Sequence, residues 1–171
     1  MLEEKITELK EQKDTSPDSQ DTKATVHIDT KIDLMISAGI PDSYFLSETD
    51  KLNFYREIEM ISDHEDLEFM QQSFFGNETQ ESIPEETQNL FNLLRCQIFC
   101  KKYMIIQIKK VGINYQIDFH ESMTIQQLKE FLTLDTEVKF VVSDIHRLRT
   151  PVKGFANDGI FIKYLLRLFS G

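Results

Sequence analysis

The stretch from Leu90 to Tyr103 constrains the fold of this chain more than any other feature. Pro84, Glu85 and Glu86 precede it and favour a helix start, because proline is preset for the first turn and acids suit the helix dipole. Apolar side chains then recur on more than one face of the helix: Phe91, Leu94 and Ile98, and Leu93, Cys96 and Cys100. A helix that is apolar over so wide an arc is usually central to a core. We therefore predict that this helix is the packing hub of the domain.

The chain is predicted to consist of a short helix, a linker and one domain. Three apolar residues recur at helical spacing within residues 1–11 and predict an amphipathic helix there: Leu2, Ile6 and Leu9. Residues 12–24 are almost entirely polar or charged and predict a linker. Residues 25–171 are predicted to form a single domain, which is long enough to bury a real core.

Several segments have the composition of β-strands. Alternation of apolar residues over 26–36 is typical of a strand with one buried face. Two β-rich segments flank Val111 and Gly112 and predict a hairpin. A further strand is predicted over 138–142 and a short extended piece around Leu148.

Four more helices are predicted around these strands. Ser47 is predicted to cap the first, and a second runs from Glu65 to Phe74. Thr124 opens a third, and the last begins at Asp158. Helices and strands alternate without the regular spacing of parallel βαβ units. We therefore predict a compact α+β domain in which helices pack on a small mixed or antiparallel sheet.

The formal net charge of −10 bears on the partners of the chain. Uniform acidity repels phosphate, so we expect no direct nucleic-acid binding by the domain, and a basic protein surface is the better match. No apolar run approaches the ~20 residues of a membrane span, and the first residues do not form a secretion signal. We therefore predict a cytoplasmic chain without membrane contact.

The sequence carries no recognisable nucleotide or metal motif. It lacks the Gly-x-x-x-x-Gly-Lys-Ser/Thr loop and the Gly-x-Gly-x-x-Gly turn, so no ATP hydrolysis is expected. Cys96 and Cys100 do not complete a tetrahedral metal site and are interpreted as buried thiols. His120 and Glu121 end a predicted strand and, with His146, are candidates for acid–base catalysis. Solvated polar residues at a strand end are the alternative interpretation.

Basic residues concentrate in the second half of the chain and could share one surface patch. The alternative is an ordinary solvated face, because nearby acids offset the field and no aromatic side chains interleave the cations. These basic residues are Lys101, Lys102, Lys109, Lys110, Arg147, Arg149 and Lys153.

Six short motifs occur in an order that resembles a known protein family. They are Leu2-Glu3-Glu4, Ile40-Pro41-Asp42-Ser43-Tyr44, Leu52 with Tyr55-Arg56, Glu65-Asp66-Leu67, Ile83-Pro84-Glu85-Glu86, and the helix from Leu90 to Lys101-Lys102. The match resembles the C-terminal domain of bacterial transcription-repair coupling factor. It covers residues 26–119 well and is loose beyond Glu121.

The resemblance implies a regulatory domain that is not an enzyme. In this family the parent protein is a DNA translocase that uses ATP and Mg²⁺, displaces stalled RNA polymerase and recruits UvrA for excision repair. The C-terminal domain docks on the UvrA-recruiting module of the same protein, masks it and restrains the motor. The resemblance therefore implies that module as the intramolecular partner and no cofactor within this chain.

The resemblance also implies a structural set and a docking set of residues. The structural set is Ile40, Pro41, Asp42, Tyr44, Leu52, Tyr55, Arg56 and Pro84. The docking set lies on the helix from Glu65 to Phe74 and the loop after it: Glu65, Asp66, Glu68, Ser73, Gly76, Glu78 and Glu81. The family usually reads Glu-Leu-Ile-Asp-Arg-Phe-Gly-Pro here, and this chain has Ser73 and Gly76 where the acids would be. Glu78 or Glu81 would have to substitute for them.

Two other functions stay open from the sequence. The chain could be a stand-alone adaptor derived from this domain, or a small enzyme with a site near His120 and Glu121. Titrating groups that converge in a pocket would favour the enzyme.

Overall fold

A computed structural model describes residues 28–76 and 78–170 as an α+β domain. The predicted helix over 1–11 and the predicted linker over 12–24 lie outside these residues. Within them, the helices are α1 (Glu48–Glu59), α2 (His64–Phe75), α3 (Glu85–Lys102), α4 (Ile125–Leu132) and α5 (Asp158–Ser170). The strands are β1 (Lys31–Asp33), β2 (Ile105–Val111), β3 (Asn114–Phe119), β4 (Val141–Asp144) and β5 (Arg147–Pro151). The predicted fold class is confirmed.

The five strands form one mixed sheet in the order β1-β2-β3-β5-β4. β1 runs parallel to β2, and the other neighbours are antiparallel. The predicted hairpin joins β2 to β3, and Gly112 adopts the left-handed conformation (φ 63°) that its turn requires. Tyr115 and Ile117 of β3 are fully buried in the core. The alternate residues of β3 are polar, so the sheet has one apolar and one polar face.

Helix α3 is shared by two hydrophobic clusters, which confirms its predicted place at the centre of the core. Cys96 and Cys100 are fully buried in the larger cluster, together with side chains from β2, β3, β5, α4 and α5. Phe91, on the other side of α3, is fully buried in a smaller cluster with residues of α1 and α2. The helix therefore joins the sheet-based core to a helical corner made by α1 and α2.

The predicted helix starts are built from side-chain caps. Ser47 Oγ accepts a hydrogen bond from the Asp50 backbone N–H at 3.2 Å. Thr124 and Gln127 form a complete capping box at the start of α4. Helix α2 is one residue longer at each end than predicted. The Asp63 carboxylate caps its start by accepting from the backbone N–H of Asp66 at 2.8 Å, and Gly76 ends it at a positive φ (60°), which glycine adopts readily.

The strand predicted over 26–36 forms a shorter ladder than expected. Alternate side chains from Ile28 to Ile36 do point inward, but only Lys31–Asp33 pair with β2. The hydrogen bonds on either side of this ladder go elsewhere. Thr30 Oγ1 donates to the Ile105 carbonyl at 2.6 Å, and the Met35 N–H donates to the Asp158 carboxylate at 2.8 Å.

The strand predicted over 138–142 is wrong in its first half. Val138 is 79% exposed and has a left-handed backbone (φ 52°), so it belongs to a turn. The Asp135 carboxylate stabilises this turn by accepting from the Phe140 N–H at 2.9 Å. Strand β4 begins only at Val141.

Asp158, at the start of α5, connects four parts of the fold. Its carboxylate is 4% exposed and accepts from Tyr115 Oη at 2.7 Å and from the Met35 N–H at 2.8 Å. Lys110 Nζ lies 3.0 Å from the same carboxylate. One buried acid therefore connects α5 to β2, to β3 and to the segment after β1.

Candidate docking face

Helix α2 presents acidic residues to solvent and apolar residues to the smaller cluster. Leu67 is fully buried and Phe75 is 6% exposed, so these two side chains fix the rotation of the helix. Glu65, Asp66 and Glu68 lie on exposed positions as a result. The acids near the helix start also complement its dipole, so their presence alone does not indicate binding.

An apolar groove of about 440 Å³ lies between α1 and α2. Two large apolar side chains on it are mostly exposed, Met60 at 82% and Phe69 at 76%. The groove is lined by Phe54, Glu57, Met60, Ile61, Asp66, Phe69, Met70, Ser73 and Phe74. Glu57 and Asp66 place carboxylates among its apolar lining, a combination that suits a partner with apolar and basic side chains.

Packed aromatic rings support the base of this groove. Phe74 lies 4.8 Å from Phe54 and 5.5 Å from Phe45, measured between ring centroids. Tyr44 stacks on Phe74 at 5.8 Å. Because rings in contact hold each other in place, the groove is a preformed feature of the helical corner.

A second cleft, of about 240 Å³, lies along the C-terminal half of α2 and the residues that follow it. Arg95 of α3 lines it and donates a hydrogen bond to Gln71 Oε1. Burial lowers the pKa of Arg95, and the nearby Glu68 carboxylate opposes that shift. Glu68 therefore offsets a half-buried cation as well as contributing to the acidic surface.

The comparison with known protein families identifies the chain. The model of the TRCF domain matches residues 34–129, which is more than half of the sequence. The chain belongs to the TRCF domain family. The matched region contains α1, α2 and α3, and therefore both the groove and the Arg95 cleft.

A solved structure shares the fold of this TRCF domain. It is described as the crystal structure of the C-terminal domain of transcription-repair coupling factor, with a TM-score of 0.69 and 18% sequence identity. The match covers 84% of this chain and 91% of the other. No curated protein sequence matches the chain. The resemblance inferred from the six motifs is confirmed.

The predicted docking residues are divided between the two concave surfaces of the TRCF domain. Asp66 and Ser73 line the groove, and Glu68, Gly76 and Glu78 line the Arg95 cleft. Glu65 and Glu81 are exposed but line neither. Sequence reasoning did not single out Phe69 and Met60. Their signal was an apolar residue directly after an acid, Glu68 or Glu59, where a polar side chain would be expected.

Three of the predicted structural residues, Ile40, Asp42 and Tyr55, make contacts near the entry to α1. Tyr55 Oη accepts a hydrogen bond from the Ile40 N–H at 3.1 Å, and Lys51 Nζ lies 2.6 Å from the Asp42 carboxylate. Pro84 precedes α3 as its N-cap residue. The motif residues Pro41, Tyr44, Leu52 and Arg56 vary in exposure, with Leu52 56% exposed.

Both candidate catalytic histidines lie within hydrogen-bond distance of other residues of the domain. His120 Nδ1 lies 2.8 Å from Ser122 Oγ, and His146 Nε2 lies 3.0 Å from the Met123 carbonyl. Neither histidine nor Glu121 lines the groove or the Arg95 cleft. Between Ile28 and Ser170, Asn77 aside, no three side chains of His, Cys, Asp or Glu are grouped so that they could hold a metal ion.

The structure also shows where the two cysteines and the basic residues lie. Cys96 and Cys100 are buried as predicted, and burial raises the pKa of the Cys100 thiol. The basic residues do not form one patch, since Lys110 turns to the buried Asp158 while Arg147 and Arg149 lie on the polar face of the sheet. No helix in the described part of the chain could cross a membrane.

Proposed function

We propose that this TRCF domain is the autoinhibitory C-terminal part of a transcription-repair coupling factor. It docks on the UvrA-recruiting module of the same protein, masks that module and restrains the ATP-driven DNA translocase. Release of the domain then permits both UvrA recruitment and translocation that displaces stalled RNA polymerase. The domain itself performs no catalysis and holds no cofactor, and ATP and Mg²⁺ belong to the motor.

The observation that carries this proposal is the combination of groove and acids on α1 and α2. Phe69 and Met60 offer apolar area to a partner, and Asp66 and Glu57 offer charge. A basic surface with an apolar anchor is the chemistry that fits such a face. The loss of two family acids at Ser73 and Gly76 shifts the expected charge contacts toward Asp66, Glu68 and the loop acids.

A docking contact that regulates must be reversible. The difference in free energy between docked and released states must therefore stay near ~1–3 kcal/mol, or the switch would not open. A groove of modest size with exposed charges is consistent with that range, because exposed charges act mainly on specificity and association rate.

Reversing the charge of the loop acids should weaken docking. Glu78 and Glu81 are both exposed, and Glu68 is left unchanged because it offsets Arg95. We expect Glu78→Lys/Glu81→Lys to reduce affinity for the separately produced UvrA-recruiting module by about tenfold, mostly through slower association. Surface-immobilised binding kinetics at several salt concentrations would measure this effect.

The control for that variant carries the same charge change elsewhere. Glu121→Lys/Glu130→Lys alters two exposed acids at and before α4, and should bind the module like wild type. In the full-length protein, the Glu78/Glu81 variant should raise both UvrA capture and basal ATP hydrolysis. Equal behaviour of the two double variants, with both folded, would argue against docking through this loop.

Truncating the exposed groove residue should separate docking from folding. Because Phe69 is 76% exposed, Phe69→Ala should change the free energy of unfolding by less than ~0.5 kcal/mol. The same change should weaken module binding about tenfold or more, since buried aromatic anchors carry much of the binding energy of an interface. Calorimetric titration and thermal unfolding of the same protein test the two statements. If Phe69→Ala bound the module with full affinity, the groove would not be part of the docking face.

A further inference from the structure

The polar face of the sheet carries a ladder of hydrogen-bonded side chains. Arg149 Nε donates to Gln116 Oε1 at 3.0 Å, and Gln116 Nε2 donates to Asp118 Oδ1 at 3.1 Å. Arg147 Nε donates to the same Asp118 oxygen at 2.8 Å. The ladder thus joins adjacent strands β3 and β5 through four side chains.

The lower part of this ladder is shielded while its cationic ends are accessible. Gln116 is 2% exposed and Asp118 is 9% exposed, whereas the Arg147 side chain is 40% exposed. Across the described chain, the hydrogen bonds of both guanidinium groups run through Nε. The Nη atoms, which form the outer side of each guanidinium fork, remain available to a ligand.

The spacing between the two arginines matches the spacing of alternate side chains along an extended segment. They lie two residues apart on β5 and therefore point from the same face with a spacing of about 6–7 Å. Carboxylates at alternate positions of an extended segment have the same spacing. Because each Nε is already held, the guanidinium planes are oriented before a ligand arrives, and bidentate carboxylate pairing loses little further entropy.

Residues of the neighbouring strands determine the extent of the cationic area on this face. Strand pairing places Lys109 beside Gln116 and Val141 beside Arg149, while Asp144 lies beside Arg147. Strand pairing also places Asp33 beside Lys109, so an acid bounds the cationic area at each edge. A short acidic segment over the centre would meet cations, whereas a longer polyanion would also meet the surrounding acids.

We propose that the polar face of the sheet binds an extended acidic segment of a partner protein, with two carboxylates at alternate positions paired to Arg147 and Arg149. The acids at the edges of this face disfavour a long polyanion such as a nucleic acid. The strand residues of this face include no aromatic side chain on which a base could stack. This inference concerns a face other than the α1–α2 groove and does not depend on the proposed autoinhibition.

A pair of labelled peptides tests the spacing. One carries glutamate at every second position, and the other has the same composition with its glutamates in one block. Fluorescence anisotropy with the full chain at low salt should show binding of the alternating peptide, about tenfold tighter than the block peptide. The affected amide signals in NMR spectra should lie on β3 and β5.

Variants of Arg149 test whether this residue binds the alternating peptide. Arg149→Gln leaves no buried charge unpaired, because the ladder partner of Arg149 is the neutral Gln116, and should weaken alternating-peptide binding about tenfold. Arg149→Lys keeps the charge but loses the fork, so it should recover less than half of that loss in binding free energy. Lys129→Gln on α4 removes one exposed charge elsewhere and should change affinity less than about twofold.

Three results of the peptide experiments would overturn the proposal. They are equal binding of the two peptides, unchanged affinity in folded Arg149→Gln, and amide shifts confined to other elements. A single-stranded oligonucleotide that displaces the peptide from β3 and β5 would likewise overturn it, since the face would then be a phosphate-binding one.

Discussion

Asp158→Ala is expected to lower the free energy of unfolding by about 3 kcal/mol. The change removes a carboxylate that is 4% exposed and accepts from Tyr115 Oη, the Met35 N–H and Lys110 Nζ. The buried Tyr115 hydroxyl would lose its partner at a cost of about 1–3 kcal/mol, and the hydrogen bond from the Met35 N–H would add about 1 kcal/mol, while the half-exposed Lys110 could turn to water. Urea denaturation followed by circular dichroism would measure the loss.

The matched control is an acid without this network. Asp144 on β4 is exposed, so Asp144→Ala should change stability by no more than ~0.5 kcal/mol. If Asp158→Ala were as stable as Asp144→Ala, the three contacts seen at Asp158 would contribute nothing to stability, and other contacts of α5 would hold the helix in place.

The same carboxylate should give the fold an acid-sensitive component. Burial by itself raises the pKa of Asp158, but hydrogen bonds from Tyr115, Met35 and Lys110 outweigh it, so the folded pKa lies below the ordinary aspartate value. The stabilisation is therefore fully present above the unfolded pKa of ~3.9 and is lost as the pH falls through the folded pKa. Asp158→Asn should show a shallower loss of stability between neutral and acidic pH than wild type.

Local signals explain why the helices could be predicted from the sequence. Ser47 and Thr124 are capping residues whose hydrogen bonds depend on residues three positions away, so the sequence contains both partners. The wide apolar arc of α3 likewise reports its place between two clusters. In each case, the sequence within a few residues was sufficient to predict the helix.

The strand errors arose from contacts that are distant in the sequence or made by a side chain. β1 stops pairing where the Met35 N–H turns to Asp158, more than a hundred residues away. The segment before β4 becomes a turn because the Asp135 side chain accepts from the backbone of Phe140. Alternation of apolar residues predicts which side chains face inward, but it does not predict which backbone groups pair.

For the candidate docking face, the sequence predicts the charge of the surface but not its shape. Glu65, Asp66 and Glu68 were named because they lie in the segment that, by resemblance to the family, makes the docking contact, and their charge can be read from the sequence. The groove could not be predicted, because it forms only where α1 packs against α2 and so places Met60 and Phe69 on one surface. Whether an exposed phenylalanine belongs to a binding surface can be judged only when its neighbours in space are known.

Tyr55→Ala is expected to cost about 2–4 kcal/mol of stability, in the range of large-to-small changes in a packed region. The ring contacts those of Phe45 and Phe54, with centroids 6.5 Å and 5.6 Å away. Its hydroxyl accepts from the Ile40 N–H at 3.1 Å and so holds the turn that leads into α1. Thermal and urea denaturation would measure the change.

Two further variants divide this effect between the ring and the hydroxyl. Tyr55→Phe keeps the packing and leaves the Ile40 N–H without its partner, so it should cost about 1 kcal/mol. Leu52→Ala, one turn earlier and 56% exposed, should cost less than Tyr55→Ala although both residues belong to the same family motif. If Tyr55→Ala left stability unchanged while Leu52→Ala reduced it, the motif would support α1 through Leu52. The exposed edge of Tyr55 would then become a candidate for partner contact.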